Sequence, residues 1–143
     1  MATLERAIVI AAKAHQGQTD KAGAPYILHP IRVMMSLSSV DERIVGVLHD
    51  VVEDSPWTFE ALTNEGFSSV VIEALRSVTK LDGEVYEDFV LRASRNIIGA
   101  KVKLADLTDN SDISRIANPT DKDYKRLEKY QRAIRMLSGE HSE

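Results

Sequence analysis

The 143-residue sequence has no cysteine. That excludes disulfides, thiolate zinc sites, iron–sulfur clusters and cysteine nucleophiles, so any metal must sit on histidine and carboxylate side chains. Long hydrophobic runs are also missing. The N-terminal candidate, Ala7 to Ala12, is flanked by Arg6 and Lys13 and is too short for a secretory core or a bilayer span. With no lipidation motif either, the sequence predicts a cytoplasmic protein that contacts no membrane. Neither sign of charge dominates. Against 22 acidic residues stand 18 basic ones, a net charge of −4, which argues against nucleic acid as a partner because duplex binding needs a concentrated positive face. Only 7 glycines and 4 prolines punctuate the chain, and no sustained alternation of apolar and polar residues marks a half-buried strand. The expectation is an all-α fold.

What is present suits one compact domain. Hydrophobic residues make up 43% of the chain and charged residues 28%, enough to bury a core without staples. With no internal repeat or interdomain linker, residues 1–143 read as a single domain, its core from about 4 to 138 and a frayed polar tail, carrying His141, from 139. Thr3 is suited to cap a first helix, with Leu4, Ala7, Ile8, Ala11 and Ala12 at helical spacing, ending near His15. Gln16 to Ala24 read as a loop. His29-Pro30 opens a second helix that continues through Leu37, in which Met34 and Met35 read as core filling. Ser39 or Asp41 caps a third helix carrying Ile44, Val45, Leu48, Val51 and Val52, which Pro56 stops. Further helices are predicted from Thr58 to Asn64, from Ser68 or Ser69 to Val78, and through Tyr86, Phe89, Val90, Ala93 and Ile97. Gly99 separates the last of these from a helix running from Lys101 to Asp109, and a final helix runs from Thr120 to Ser138 with Gly139 as its stop.

The informative anomaly lies in the third helix, where His49, Asp50, Glu53 and Asp54 interrupt the most continuously apolar stretch. An unpaired carboxylate in an apolar interior costs several kcal/mol or changes its protonation state, so three acids and a histidine there imply a compensating cation, a solvated cleft, or both. At about 100° per residue, His49 and Asp50 point in neighbouring directions, with Glu53 and Asp54 one turn above them. His29 before Pro30 and Asp106 in Lys103-Leu104-Ala105-Asp106 are the isolated residues at helix ends that could complete the set. Two histidines and two aspartates balance a dication, and mixed imidazole and carboxylate donors suit manganese, iron or zinc better than calcium or magnesium. His15 reads as a partner of the first helix's C-terminal dipole. Asp109 and Asp112 read as surface acids.

Several ordered blocks resemble the RelA/SpoT-homologue family of HD-domain hydrolases, specifically its stand-alone small alarmone hydrolases. Ala14-His15-Gln16-Gly17-Gln18, Lys21, Gly23 and Pro25-Tyr26-Ile27-Leu28-His29-Pro30 are similar to the first block; Leu48-His49-Asp50-Val51-Val52-Glu53-Asp54 to the second; Lys103-Leu104-Ala105-Asp106 with Asn110 to the third. Thr79-Lys80-Leu81 and the pair Arg126 and Tyr130 are weaker echoes. The resemblance implies a helical bundle around one metal held by His29, His49, Asp50 and Asp106, with Glu53 and Asp54 as catalytic acids. It also implies hydrolysis of the 3′-diphosphate of guanosine tetra- and pentaphosphate, usually with Mn2+, giving pyrophosphate and the 5′-nucleotide, by a hydrolase lacking a synthetase domain. Lys21, Asn110, Arg126 and Tyr130 are the expected contacts to a small-molecule nucleotide, while Lys80 and Lys103 read as solvated surface charge. Asp20 stands where many members carry arginine. Adenine-containing alarmones, NADPH, other nucleotides and a non-catalytic sensor of the same fold therefore stay open, as do Zn2+ and Fe2+.

Overall fold

The computed structural model describes residues 1–139, and the tail residues beyond them, His141 included, lie outside the described residues. Among the described residues the chain forms nine α-helices and one 3₁₀ turn: α1 Leu4–Ala14, α2 Leu28–Met35, α3 Val40–Leu48, α4 Val51–Asp54, α5 Phe59–Glu65, α6 Ser69–Ser77, α7 Tyr86–Ser94, α8 Ile97–Asn110, the 3₁₀ turn Ile113–Arg115 and α9 Asp121–Ser138. The described residues contain no strand beyond an isolated bridge between Thr19 and Pro25. None of the described helices is long and apolar enough to cross a membrane.

The helix starts follow local chemistry. Thr3, Thr58, Ser68 and Asn96 each accept a backbone N–H of the first turn that follows, which satisfies donors the helix itself leaves orphaned. Ser39 and Glu42 form a reciprocal capping box at α3, and Thr120 with Asp123 forms another at α9. Gly66 and Gly139 end α5 and α9 in the left-handed region, with φ of 104° and 75°, where a side chain would be strained.

Helix α3 lies at the centre, packed against α1, α2, α6 and α8. Val45, Val47 and Leu48 of α3 are buried with Ala7, Ile10 and Ala11 of α1, Val33 of α2, and Val71, Ala74 and Leu75 of α6. A smaller cluster of Val90, Leu107 and Ala133 joins α7, α8 and α9. This arrangement brings the C-terminal end of α3, the first turn of α2 and the middle of α8 to one place, which sets up the site described below.

Three local expectations are corrected. The third helix does not continue to Glu53: it stops at Leu48, His49 and Asp50 form a turn, and α4 is a separate single turn. Asp50, at φ −103° and ψ −1°, has left ordinary helical geometry. Gly99 does not separate two helices but lies buried inside α8, where a Cβ would come within 2.0 Å of Ser77 Oγ. It permits the close approach of α8 to α6. Met34 is buried as expected, but Met35 is 64% exposed, because α2 turns that face away from the core.

Candidate metal centre and adjoining cleft

The turn at residues 49–50 aims two side chains inward. His49 Nδ1–H donates to the Gly46 carbonyl at 2.6 Å, one of the carbonyls left over at the end of α3. Its Nε2 then lies 3.1 Å from Asp50 Oδ2 and 3.2 Å from Asp106 Oδ1. His29, in the first turn of α2, donates Nδ1–H to Asp109 Oδ2 at 2.6 Å and places Nε2 2.9 Å from Asp106 Oδ1 and 3.9 Å from Asp50 Oδ2. Both imidazoles are buried. Donor atoms of His29, His49 and Asp50 lie mutually within 4.8 Å, a group that could hold a metal ion. Asp106 adjoins it through the oxygen that faces both rings.

The chemistry of this donor set fits a cation. With each Nδ1 hydrogen committed to an acceptor, each Nε2 presents a lone pair to carboxylate oxygens that carry lone pairs themselves, a conflict that a proton or a metal ion placed between them resolves. The titration behaviour has the same sense. Burial opposes charge on His49, yet Asp50 and Asp106 beside it push the imidazole well above its ordinary value. Burial also opposes charge on His29, and Asp106 and Asp109 overcome it. Asp50 and Asp106 are held below the ordinary carboxylate range against burial, Asp50 by His49 and Tyr26, and Asp106 by Lys103 and both imidazoles. The cluster favours positive charge at its centre.

Beside it opens a cleft of about 430 Å³ between the loop 16–25, the 3₁₀ turn and α9, lined by Lys21, Asn110, Arg126 and Tyr130 together with Tyr26, Arg115, Ile113, Ile116 and Leu127. Two of its walls touch the metal cluster. The Tyr26 hydroxyl donates to Asp50 Oδ2, and Asn110 Nδ2 donates to Asp106 Oδ1 at 3.1 Å. Lys21 is held below its ordinary value by partial burial and by Arg126 close to it, so the two cations repel each other and would gain from a shared anion. Arg126 is paired with Asp123. Asp20 lines the same cleft, but its Oδ1 accepts the N–H groups of Ala22 and Ala24, both at 2.9 Å, which closes the loop as an Asx turn.

Of the expected site residues, His29, His49, Asp50 and Asp106 converge, and Lys21, Asn110, Arg126 and Tyr130 share the cleft. Glu53 and Asp54 flank this assembly without lining the cleft. Glu53 Oε1 accepts the Lys80 backbone N–H at 2.8 Å, and its carboxyl is raised above the ordinary value by partial desolvation and by Asp50 and Asp54 nearby. Asp54 Oδ2 accepts from Gln18 Nε2 at 3.3 Å, and Gln18 in turn accepts from His15 Nδ1 at 2.9 Å. His15 occupies the C-cap position of α1 through its backbone N–H, while its imidazole turns to Gln18. Two charge assignments are corrected. Lys103 is buried rather than solvated, with Nζ 3.2 Å from Asp106 Oδ2 and 4.3 Å above the Phe89 ring. Asp109 is no surface acid: its side chain is 12% exposed and pairs with His29 and Arg32. Sequence reasoning also missed Tyr26, Arg32 and Arg115. A signal existed for two of these residues, since Tyr26 and Arg32 lie three positions either side of His29, Arg32 one turn further along α2 and Tyr26 in the turn that leads into it.

No family model matches the chain. Over 117 residues, 71% of its length, it is 35% identical to the guanosine-3′,5′-bis(diphosphate) 3′-pyrophosphohydrolase of Haemophilus influenzae. Over 122 residues, 75% of its length, it is 32% identical to the bifunctional (p)ppGpp synthase/hydrolase SpoT of Escherichia coli. The chain is a RelA/SpoT homologue. A third relative of this RelA/SpoT homologue, 36% identical over 125 residues, is the GTP pyrophosphokinase of Myxococcus xanthus. These relatives are long, and the chain spans 17% of the length of the first two and 16% of the third. Its fold matches a solved structure described as a metazoan orthologue of SpoT that hydrolyses ppGpp, with a TM-score of 0.78 at 22% identity, covering 96% of this chain and 85% of the other. The fold of the RelA/SpoT homologue is thus the helical HD-type bundle that the three sequence blocks implied.

Proposed function

We propose that this chain acts as one hydrolase domain that removes the 3′-diphosphate of guanosine tetra- and pentaphosphate-type alarmones, releasing pyrophosphate and the 5′-nucleotide. The observation that carries the reading is the convergence of two imidazole Nε2 atoms with Asp50 and Asp106 beside a cleft bearing Lys21, Arg115 and Arg126. The printed names and title of the relatives point the same way. His29, His49, Asp50 and Asp106 would hold one divalent ion, Mn2+ by preference. Bound there, the ion supplies Lewis-acid charge to a phosphoryl oxygen and acidifies water.

The chain's own groups do the rest. Lys21 and Arg126 bind the phosphate charge, and Asn110 and Tyr130 offer hydrogen bonds or stacking to sugar and base. Asp54, held by Gln18, orients the attacking water. Glu53, with its carboxyl shifted upward, exchanges the proton that leaves that water and reaches the departing 3′-oxygen. Asp20 offers no guanidinium to a base, so base choice is tested directly. Purified chain supplied with Mn2+ should release pyrophosphate from guanosine tetraphosphate when compared across guanosine and adenosine 3′-diphosphates, NADPH and 5′-monophosphates. Folded, ion-loaded protein that leaves every 3′-diphosphate intact would overturn the assignment, and tight nucleotide binding without turnover would indicate a sensor instead.

A further inference from the structure

We propose that Asp109 is a positioning residue for His29, braced for that task by Arg32 and Arg115. The inference rests on the reading of His29 as a metal-holding side chain. Asp109 lies on α8, one turn beyond Asp106, and receives two side chains from α2: His29 Nδ1–H at 2.6 Å, and Arg32 through Nε at 2.7 Å and Nη2 at 3.1 Å. On the cleft side Arg115 Nη2 lies 3.5 Å from Asp109 Oδ2 and donates to the Asp109 backbone carbonyl at 2.9 Å. Both carboxylate oxygens are thus engaged, and the side chain has one orientation. That orientation commits the His29 hydrogen to Nδ1, leaves the lone pair on Nε2, and fixes the ring plane so that Nε2 meets Asp106 and Asp50.

The two histidines are braced by different means. His49 donates Nδ1–H to the neutral carbonyl of Gly46, which the end of α3 holds in place, whereas His29 donates to a carboxylate that depends on two arginines. A carboxylate behind an imidazole raises its basicity as well as orienting it, and loss of such a partner lowers metal affinity about 10–100-fold. Asp109 is outside the group that could hold the ion and does not itself line the cleft; Arg115 links it to the cleft wall, and its route to the ion position is through His29.

The test uses the full chain and divalent metal alone. Titration calorimetry with Mn2+ should show Asp109→Asn binding about 10–100-fold more weakly than the parent, with unchanged helical circular dichroism. In the zinc-loaded protein the Nδ1 proton of His29 should be protected from solvent exchange in the parent and lose that protection in the variant, a readout that mere loosening of the fold does not give selectively, because the His49 proton should stay protected. Arg32→Gln leaves the carboxylate but removes its brace, and should reproduce part of both effects should Asp109→Asn fold poorly. Unchanged affinity and an unchanged His29 proton in both variants would overturn the proposal. A parent that binds the ion but cleaves no alarmone sinks the substrate reading and leaves this one standing. A parent that binds no divalent ion sinks both.

Discussion

Lys103→Met isolates the charge that steadies Asp106, because methionine keeps an apolar stem against Phe89 and removes only the ammonium. The two side chains are 9% and 10% exposed with Nζ and Oδ2 3.2 Å apart, and Lys103 is foremost among the charges that keep Asp106 ionised against burial. Removing one member of a buried pair costs about 3–5 kcal/mol, since the other charge is left uncompensated. Asp106 retains Asn110 and both imidazoles, which places the loss near the lower end, about 3 kcal/mol. That is a large share of the roughly 5–15 kcal/mol that holds a domain folded. Urea unfolding followed by circular dichroism in excess chelator should show this loss. In saturating Mn2+ a cation beside Asp106 takes over the role of the ammonium, and the deficit should shrink by roughly half or more. A loss below about 1 kcal/mol in chelator, or an equal loss in both conditions, would refute the reasoning.

Gly99→Ala sets a Cβ 2.0 Å from Ser77 Oγ, which can escape only by abandoning its bond to the Ala74 carbonyl. Overpacking of about 1–3 kcal/mol, offset by up to about 1 kcal/mol of helix propensity, should destabilise the variant. Adding Ser77→Ala should recover most of that loss in denaturant unfolding, and simple additivity would contradict the steric account. Arg92 holds Glu84 down to about 2, so this pair stabilises the fold above the unfolded carboxyl value and the contribution disappears as pH falls from about 4.3 towards 2. The stability deficit of Glu84→Gln should accordingly be full at pH 6 and vanish near pH 2, and a deficit independent of pH would count against it. On the proposed role of Arg126, Arg126→Ala would remove a charge-assisted phosphate contact worth about 1.5–3 kcal/mol, which corresponds to a KM raised about 10- to 100-fold with kcat nearly unchanged; a loss confined to kcat would show that Arg126 acts elsewhere.

The helical architecture was legible because caps and stops are local. Thr3, Ser68, Thr120 and Gly66 announce helix ends through chemistry confined to one turn. The misreadings are all tertiary. Gly99 resembles a breaker in sequence, but the reason for it is Ser77, a neighbour on another helix. His49 and Asp50 fit a continuous helical pattern, and the turn there depends on a side chain seated against the Gly46 carbonyl and on the partners of Asp50, Tyr26 just before α2 and His29 within it. The convergence of His29, His49, Asp50 and Asp106 could be anticipated because charged residues in apolar stretches demand a partner. The two misassigned charges, Asp109 and Lys103, are polar residues on a helix of mixed character, where periodicity does not distinguish a buried pair from a solvated face. Arg115 lies on a short 3₁₀ turn with no periodic signal at all.

The central claim, that four side chains distant in sequence share one cation, is tested most directly by anomalous diffraction from crystals grown with Mn2+. A single strong peak is expected within bonding distance of His29 Nε2, His49 Nε2 and carboxylate oxygens of Asp50 and Asp106. A fully ordered site with no peak between these residues, or manganese bound only elsewhere on the chain, would contradict it.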